Sequence, residues 1–295
     1  MKSEGNAPVV ITEDCIGCER CVRICPGLVL EMVDEKSTVV RGEWCIGCGH
    51  CGAVCPTEAI LPQGGALDKH PKEGEGPATS PEILELLFRE RRSVRRYTGT
   101  PVPEEILKKM LNAGSYAPTG SNSQNVHYII LKTPEKIASL QQMTIRFYEK
   151  IFSRARGRLG RFFISIIAGR RIAEYLRESL PKVEYRKKKV RQGEDPVFFH
   201  APVVMLAHAE SWDTNSSFNC SVALYHCSLM AHVLGLGCCF NGFLVNAVNH
   251  SSKIKNWLGI PKNHRCYSAM TLGFPEVKYL RLVRRALPNV NNTPL

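Results

Sequence analysis

The 295-residue sequence has no apolar run of about 18 residues, the length a membrane-crossing helix needs, so no stable membrane insertion is expected. Its first residues, MKSEGNAPVV, lack a basic stretch followed by an apolar core. No secretory signal is read there, and a cytoplasmic location is expected. No Gly-x-Gly-x-x-Gly follows a predicted strand, which argues against the usual nicotinamide-binding turn. The basic stretches lack regular aromatic interleaving and no nucleic-acid motif appears, so a nucleic-acid partner is not expected. Acidic residues are scarce over most of the chain. The net charge is +12, yet residues 1–61 hold five Lys/Arg against nine Asp/Glu, a net −4, and the remainder carries +16. Such asymmetry points to two domains.

Cysteine is abundant, with thirteen residues. Without a secretion signal these argue against a disulfide framework. Eight fall in two stretches, CIGCERCVRICP (15–26) and CIGCGHCGAVCP (45–56), offset by 30 residues. The spacing C-x2-C-x2-C-x3-C-P therefore occurs twice, as an internal duplication. A cubane iron–sulfur cluster needs four thiolates around one small volume. Three can come from a tight loop, and the fourth must come from elsewhere. Zinc usually takes two separated C-x2-C pairs and fits two intact four-cysteine runs poorly. Glycines 17, 47, 49 and 52 let the backbone approach an inorganic core. The other five cysteines, Cys220, Cys227, Cys238, Cys239 and Cys266, read as small buried packing residues.

Residues 1–61 resemble the bacterial two-cluster ferredoxins, in which the fourth cysteine of each run ligates the other cluster. That resemblance implies two 4Fe-4S clusters. One would be held by Cys15, Cys18, Cys21 and Cys55, the other by Cys45, Cys48, Cys51 and Cys25.

PQGGALDKHPKEGEGPATS (62–80) reads as a linker. Beyond it, Ser80-Pro81 looks like a helix N-cap with proline at the first turn, and a second helix starts near Pro103. Residues 126–131 and 201–207 read as strands, with a helix from about 217 to 234 between the second of these and GLGCCFNGF (235–243), a turn or strand. A short helix follows at 253–258, then a strand at 268–275. The segment at about 134–196 is a basic insertion, with fifteen Lys/Arg against four Asp/Glu in 146–191. One or two exposed amphipathic helices are expected there; a lid meeting an anionic substrate or acidic partner, or an interfacial membrane contact, are the sharper readings.

Three stretches read together: RERRSVRRYTGTPVP (89–103), YAPTGSNSQNVHYIIL (116–131) and TLGFPEVKYLRLVRR (271–285). Arg91, Arg92 and Arg95, with the Ser93 hydroxyl, could grip one phosphate from a helix end. Ser121, Asn122 and Gln124 could hydrogen-bond a heterocycle or polyol just before a strand. With RRSVRRY, PVPEE, APTGSNSQ, GLG and LGFP in order, residues 80–285 resemble the nitroreductase family of flavoproteins.

This resemblance implies FMN at the interface of a homodimer formed through the nitroreductase domain. Arg91, Arg92, Ser93 and Arg95 would bind phosphate and ribityl. Pro118, Thr119, Ser121, Asn122 and Gln124 would line the isoalloxazine and ribityl. The backbone around Phe240, Asn241 and Gly242 would meet the flavin near N5, and Arg285 with Arg281 would close on the phosphate. NSQNV (122–126) departs from the frequent NSQPW, and the segment after GLG lacks the frequent tryptophan, which shifts pocket shape.

The expected chain is α+β. A ferredoxin-like two-cluster domain spans 1–61, a linker 62–80, and a nitroreductase-type sandwich 81–295, with a mixed central sheet flanked by helices. The expected activity passes electrons from a low-potential donor such as ferredoxin, through the clusters and FMN, to a small-molecule acceptor: a nitroaromatic, an enone or a quinone. No protein group is named as catalytic, since flavin N5 carries the chemistry. A non-enzymatic electron carrier or redox sensor with the same cofactors is the alternative.

Overall fold

The computed structural model describes residues 9–62, 67–68, 80–157, 162, 165–166, 169–286 and 288. Most of the predicted linker lies outside these residues. The chain divides into two compact units, one of Met1–Thr79 with Thr119–Ser123, the other of Ser80–Pro118 with Gln124–Leu295.

In the first unit, strand β1 (Val9–Ile11) pairs antiparallel with β4 (Ile60–Pro62). β2 (Leu30–Val33) and β3 (Lys36–Val39) form a hairpin. Its two-residue turn, Asp34 and Glu35, has positive φ at both positions, 48° and 62°, which matches the right-handed twist of the flanking strands. The sequence duplication reappears in the backbone. Helices α1 (Arg20–Ile24) and α2 (His50–Ala53) stand 30 residues apart, each entered from a left-handed residue, Glu19 at 58° and Gly49 at 72°. Gly17 (70°) and Gly47 (66°) repeat the offset, as do Leu28 (53°) and Glu58 (55°). Gly17 is required twice over: its φ is left-handed, and a Cβ there would sit 2.4 Å from the Glu35 carbonyl oxygen. Val9, Cys21, Val29, Leu30 and Ile60 form the small core.

The second unit begins as its sequence predicts. Ser80 Oγ accepts from the Ile83 amide at 3.3 Å and caps α3 (Pro81–Glu90). The first glutamates of α4 (Glu104–Ser115) lie at its positive end. Four strands form one sheet in the order β5 (His127–Leu131), β6 (Val203–Glu210), β8 (His264–Gly273), β7 (Gly237–Phe240), with neighbours antiparallel. Among the described residues, the parallel component of the expected mixed sheet is a single bridge, Ser93 to Cys238.

The insertion supplies two long helices, α5 (Pro134–Arg156) and α6 (Arg170–Arg191), which pack on each other. Of its apolar run 162–169, Phe162 and Ile166 are exposed. α7 (Ser216–Val233), α8 (Gly242–His250) and α9 (Ser252–Trp257) complete the unit.

Strand β6 is buried on both faces, and the alternation of its side chains sorts two cores. Val203, Met205, Ala207 and Ala209 meet α4 and α7 through Leu107, Met110, Cys220 and Leu224. Val204 and Leu206 meet α5, α8 and α9 through Leu140, Leu244, Val248 and Ile254. This is an α+β sandwich, with helices on both faces of the sheet. All five cysteines outside the duplicated runs are buried. Burial pushes the Cys220 and Cys266 thiols up to about 12 and Cys227 up to about 11. They are neutral packing residues.

A histidine cluster spans β5, β6 and β8. His208 Nδ1 and His264 Nδ1 lie 3.0 Å apart, and the His127 ring stacks 5.4 Å from that of His208. Burial and the neighbouring charges of His264, His127 and Lys255 push the His208 pKa down to about 4, while Glu210 faces His264. Below pH ~6.5, the ordinary histidine value, the unfolded chain takes up a proton that the folded chain refuses. This contribution to stability is complete above that pH and is lost as pH falls toward the folded value. The thermal midpoint should therefore drop over this window, and less steeply in His208→Gln; parallel curves for the two proteins would contradict the assignment.

Candidate functional site

The duplicated turns sort the eight cysteines into two sets. One cavity is lined by Cys15, Cys18, Cys21 and Cys55. The other is lined by Cys25, Cys45, Cys48 and Cys51. Each takes three cysteines from one run and the fourth from the other, the crossing that the ferredoxin resemblance implies. The tight loops bring three thiols together, and the antiparallel pairing of β1 with β4 closes the unit's two ends on each other. Among the described residues, no group of three or more His, Cys, Asp or Glu is placed to hold a single metal ion. Backbone N–H groups aim at the sulfurs, Val29 to Cys25 Sγ and Gly47 to Cys45 Sγ, each at 3.4 Å. Cys21 Sγ donates to Ser37 Oγ at 3.3 Å. Amide donors to sulfur stabilise a thiolate and tune a cluster's potential. The donor set and its surroundings fit a cubane cluster in each cavity.

In the second unit, α3 ends at Arg91, whose amide donates back to Leu87 O at 3.0 Å. The chain then runs as a short extended segment along β7, with Val94 N donating to Cys238 O at 3.0 Å. Close approach requires Gly237, since a Cβ there would lie 2.5 Å from Val94 Cγ2. Tyr97 pins the segment from below. Its hydroxyl donates to Val94 O at 2.7 Å and lies 2.9 Å from Thr271 Oγ1, and burial raises its pKa. The arginines are thereby held on a rigid frame.

Beside this frame is a cavity of about 340 Å3, with Arg89, Arg91, Arg92, Lys278 and Arg281 on its wall. Five cations face one carboxylate there, Glu90, a charge balance that suits an anion. The Arg92 guanidinium lies 5.8 Å over the Tyr279 ring, which fixes its plane. Arg91 also stands by Cys238, and Arg95 with Ser93 by Cys239. Burial nonetheless pushes Cys238 up to about 11 and raises Cys239, so both are neutral thiols.

The predicted residues divide. Arg91, Arg92 and Arg281 share the cavity wall, while Ser93, Arg95 and Arg285 do not line it. Phe240 is partly exposed at the end of β7. Asn241 is buried and committed to structure: its Oδ1 accepts from Leu244 N at 2.9 Å, capping α8, and its Nδ2 donates to Val197 O at 2.7 Å. Gly242 opens α8, and a Cβ there would meet nothing within 4 Å. Pro118 and Gln124 belong to the second unit, whereas Thr119, Ser121 and Asn122 group with the first. Asn122 Nδ2 donates to Ile46 O at 3.2 Å and Gly47 O at 3.0 Å, in the second cysteine loop. Ser121, Asn122 and Gln124 all have positive φ, between 47° and 51°, strained for non-glycine residues in the way functional loops often are.

Sequence reasoning missed three contributors. Tyr97 closes RRSVRRY, and an aromatic ring directly after the arginine run was the available signal. α8 follows a glycine-punctuated segment whose Asn-Gly start was a legible cap. Tyr279 lies in the basic tail and becomes meaningful only once the tail folds back to the cavity.

The model of the nitroreductase family matches residues 88–274, and that of a 4Fe-4S dicluster domain matches residues 14–59. Among solved structures, the chain resembles a nitroreductase with bound FMN from Bacteroides fragilis (21% identity, 73% of this chain and 99% of that one, TM-score 0.50). It also resembles a nitroreductase with bound FMN from Desulfitobacterium hafniense (17%, 72% and 100%, TM-score 0.51). A BluB-like flavoprotein from Clostridium difficile shares the fold as well (19%, 69% and 94%, TM-score 0.52). The duplicated cysteine unit and the arginine-framed sandwich thus meet in one chain, a member of the nitroreductase family of oxidoreductases that carries a 4Fe-4S dicluster domain ahead of it.

Proposed function

We propose that this chain is an FMN-dependent oxidoreductase whose two 4Fe-4S clusters relay electrons to FMN for the reduction of a nitroaromatic, enone or quinone. The observation that carries this reading is the sorting of eight cysteines into two crossed sets of four, in a chain that also holds a cationic cavity of phosphate-binding character. When bound, the clusters supply one-electron transfer and FMN supplies two-electron reduction. Cys15, Cys18, Cys21 and Cys55 hold one cluster, and Cys45, Cys48, Cys51 and Cys25 the other. Arg91, Arg92 and Arg281 take the FMN phosphate, with Ser93, Arg95 and Arg285 on its approaches. Pro118, Thr119, Ser121, Asn122 and Gln124 line the ring and ribityl. Phe240, Asn241 and Gly242 present backbone toward the reacting edge. A homodimer through the nitroreductase domain completes the flavin site, and a ferredoxin-like donor feeds it. Among the described residues no helix is long and apolar enough to cross a membrane.

The test is anaerobic turnover of dithionite-reduced protein against a panel of nitroaromatics, enones and quinones. Acceptor reduction by at least one class is expected. If the reduced protein persists against every acceptor, the enzyme reading fails and the electron carrier or sensor replaces it.

A further inference from the structure

The two cysteine sets are alike in sequence and unlike in their surroundings. In the set of Cys25, Cys45, Cys48 and Cys51, backbone amides point at sulfur, Val29 N at Cys25 Sγ and Gly47 N at Cys45 Sγ. Among the described residues lining that cavity, none carries a side-chain hydroxyl. The cavity of Cys15, Cys18, Cys21 and Cys55 is lined by two, Ser37 and Thr57.

The two hydroxyls differ in where their protons go. Thr57 Oγ1 donates to Asp14 O at 2.9 Å and lies 3.7 Å from Cys55 Sγ, so a carbonyl already engages its proton. Ser37, on β3, and Cys21, on α1, are both buried, and Ser37 Oγ lies 3.3 Å from Cys21 Sγ. A cysteine that ligates iron does so as a thiolate and has no proton to give. With Cys21 as a ligand, that bond requires the Ser37 hydroxyl as donor. Burial keeps bulk water from competing for the proton.

The internal duplication offers a comparison. The 30-residue offset that relates Cys21 to Cys51 relates Ser37 to Leu67. Leu67 leans on the second cysteine loop: a Cβ on Gly52 would lie 2.6 Å from its Cδ1, and one on Gly49 3.8 Å from its Cδ2. The same repeat position brings a hydroxyl to the first site and an apolar branch to the second.

We propose that Ser37 sets the potential of the cluster held by Cys15, Cys18, Cys21 and Cys55, through a hydrogen bond to the Cys21 sulfur, and that Leu67 gives the other cluster no equivalent donor. This rests on the reading of the two cysteine sets as cluster sites. An added electron places more negative charge on the sulfurs. A proton donor there stabilises the reduced form more than the oxidised one and raises the potential. The second site is tuned by main-chain amides that no substitution removes. The first is tuned in part by a side chain that one substitution removes.

Anaerobic redox titration of the full chain with dithionite, followed by electron paramagnetic resonance, reads both clusters. Ser37→Ala should lower one midpoint and leave the other in place. The expected change is about tenfold in the reduced-to-oxidised ratio at a fixed potential, or about 59 mV for a one-electron couple. The sign separates two causes. If the substitution acted by admitting water, the midpoint would rise, since water also favours the more highly charged reduced form. Ser37→Thr, which keeps a hydroxyl, should stay closer to the wild-type midpoint than Ser37→Ala, and Thr57→Val should shift it less than Ser37→Ala does. A midpoint unchanged or raised in Ser37→Ala, or two midpoints that fall together, would overturn the proposal. Iron and sulfide are measured on the same samples. Ser37→Ala should keep the wild-type iron content, and loss of about half of it would make Ser37 a structural residue instead. A wild-type chain without cluster iron would refute the cluster reading itself, an outcome distinct from any shift of midpoint.

Discussion

Replacing Cys18 and Cys55 together with alanine should leave about half of the iron, whereas replacing Cys48 and Cys55 together should remove nearly all of it, on the four-iron, four-thiolate stoichiometry of each cluster. The difference follows from the crossed sets. Cys18 and Cys55 line the same cavity, so the second substitution falls on a cluster already lost. Cys48 lines the other cavity, so the second pair disables both sites. Uncrossed ligation makes the opposite forecast, because Cys48 and Cys55 belong to one sequence run. The hydroxyls that sit beside these thiols, Ser37 by Cys21 and Thr57 by Cys55, are poor substitutes for a thiolate ligand to iron. Iron and sulfide analysis on anaerobically purified variants reads the outcome, and equal iron in the two double variants would refute the crossing.

Arg91→Ala should strip FMN. A charge-assisted hydrogen bond to phosphate contributes about 1.5–3 kcal/mol, so removing Arg91 should weaken FMN by roughly ten- to hundredfold. Arg91 stands at the start of a segment whose backbone is fixed by the close packing of Gly237 on Val94 and by the Tyr97 hydroxyl. The two tail arginines should differ. Arg281 lines the cavity and Arg285 does not, so Arg281→Ala should release more FMN on dialysis than Arg285→Ala. Flavin absorbance per chain after exhaustive dialysis measures all three. FMN content unchanged in Arg91→Ala would show that the phosphate lies elsewhere.

Much of this architecture is legible in the residues. The 30-residue offset of the cysteine runs carries into the backbone, where the paired glycines and the paired left-handed entries to α1 and α2 repeat it. Helix starts at Ser80 and Pro103 and the buried run of β6 follow from local capping and apolar content. The site is legible less evenly. The arginine run is visible, but which guanidinium faces the cavity depends on how the segment 91–97 registers against β7, a contact between residues about 145 apart in sequence. No local period encodes that. The same holds for Asn241: its Asn-Gly sequence suggests a turn, while its buried position and its bond to Val197 make it a structural anchor. The histidine cluster is assembled by sheet order alone, from three strands separated in sequence.

The central claim is that electrons reach the acceptor through the cysteine-lined sites. It is tested most directly by ferredoxin-driven reduction of a nitroaromatic, comparing wild type with Cys18→Ala/Cys48→Ala, which should lose both clusters and keep FMN in a unit with its own core. The account predicts turnover at background in a variant shown to contain FMN and no iron. Turnover by that variant at the wild-type rate would contradict it.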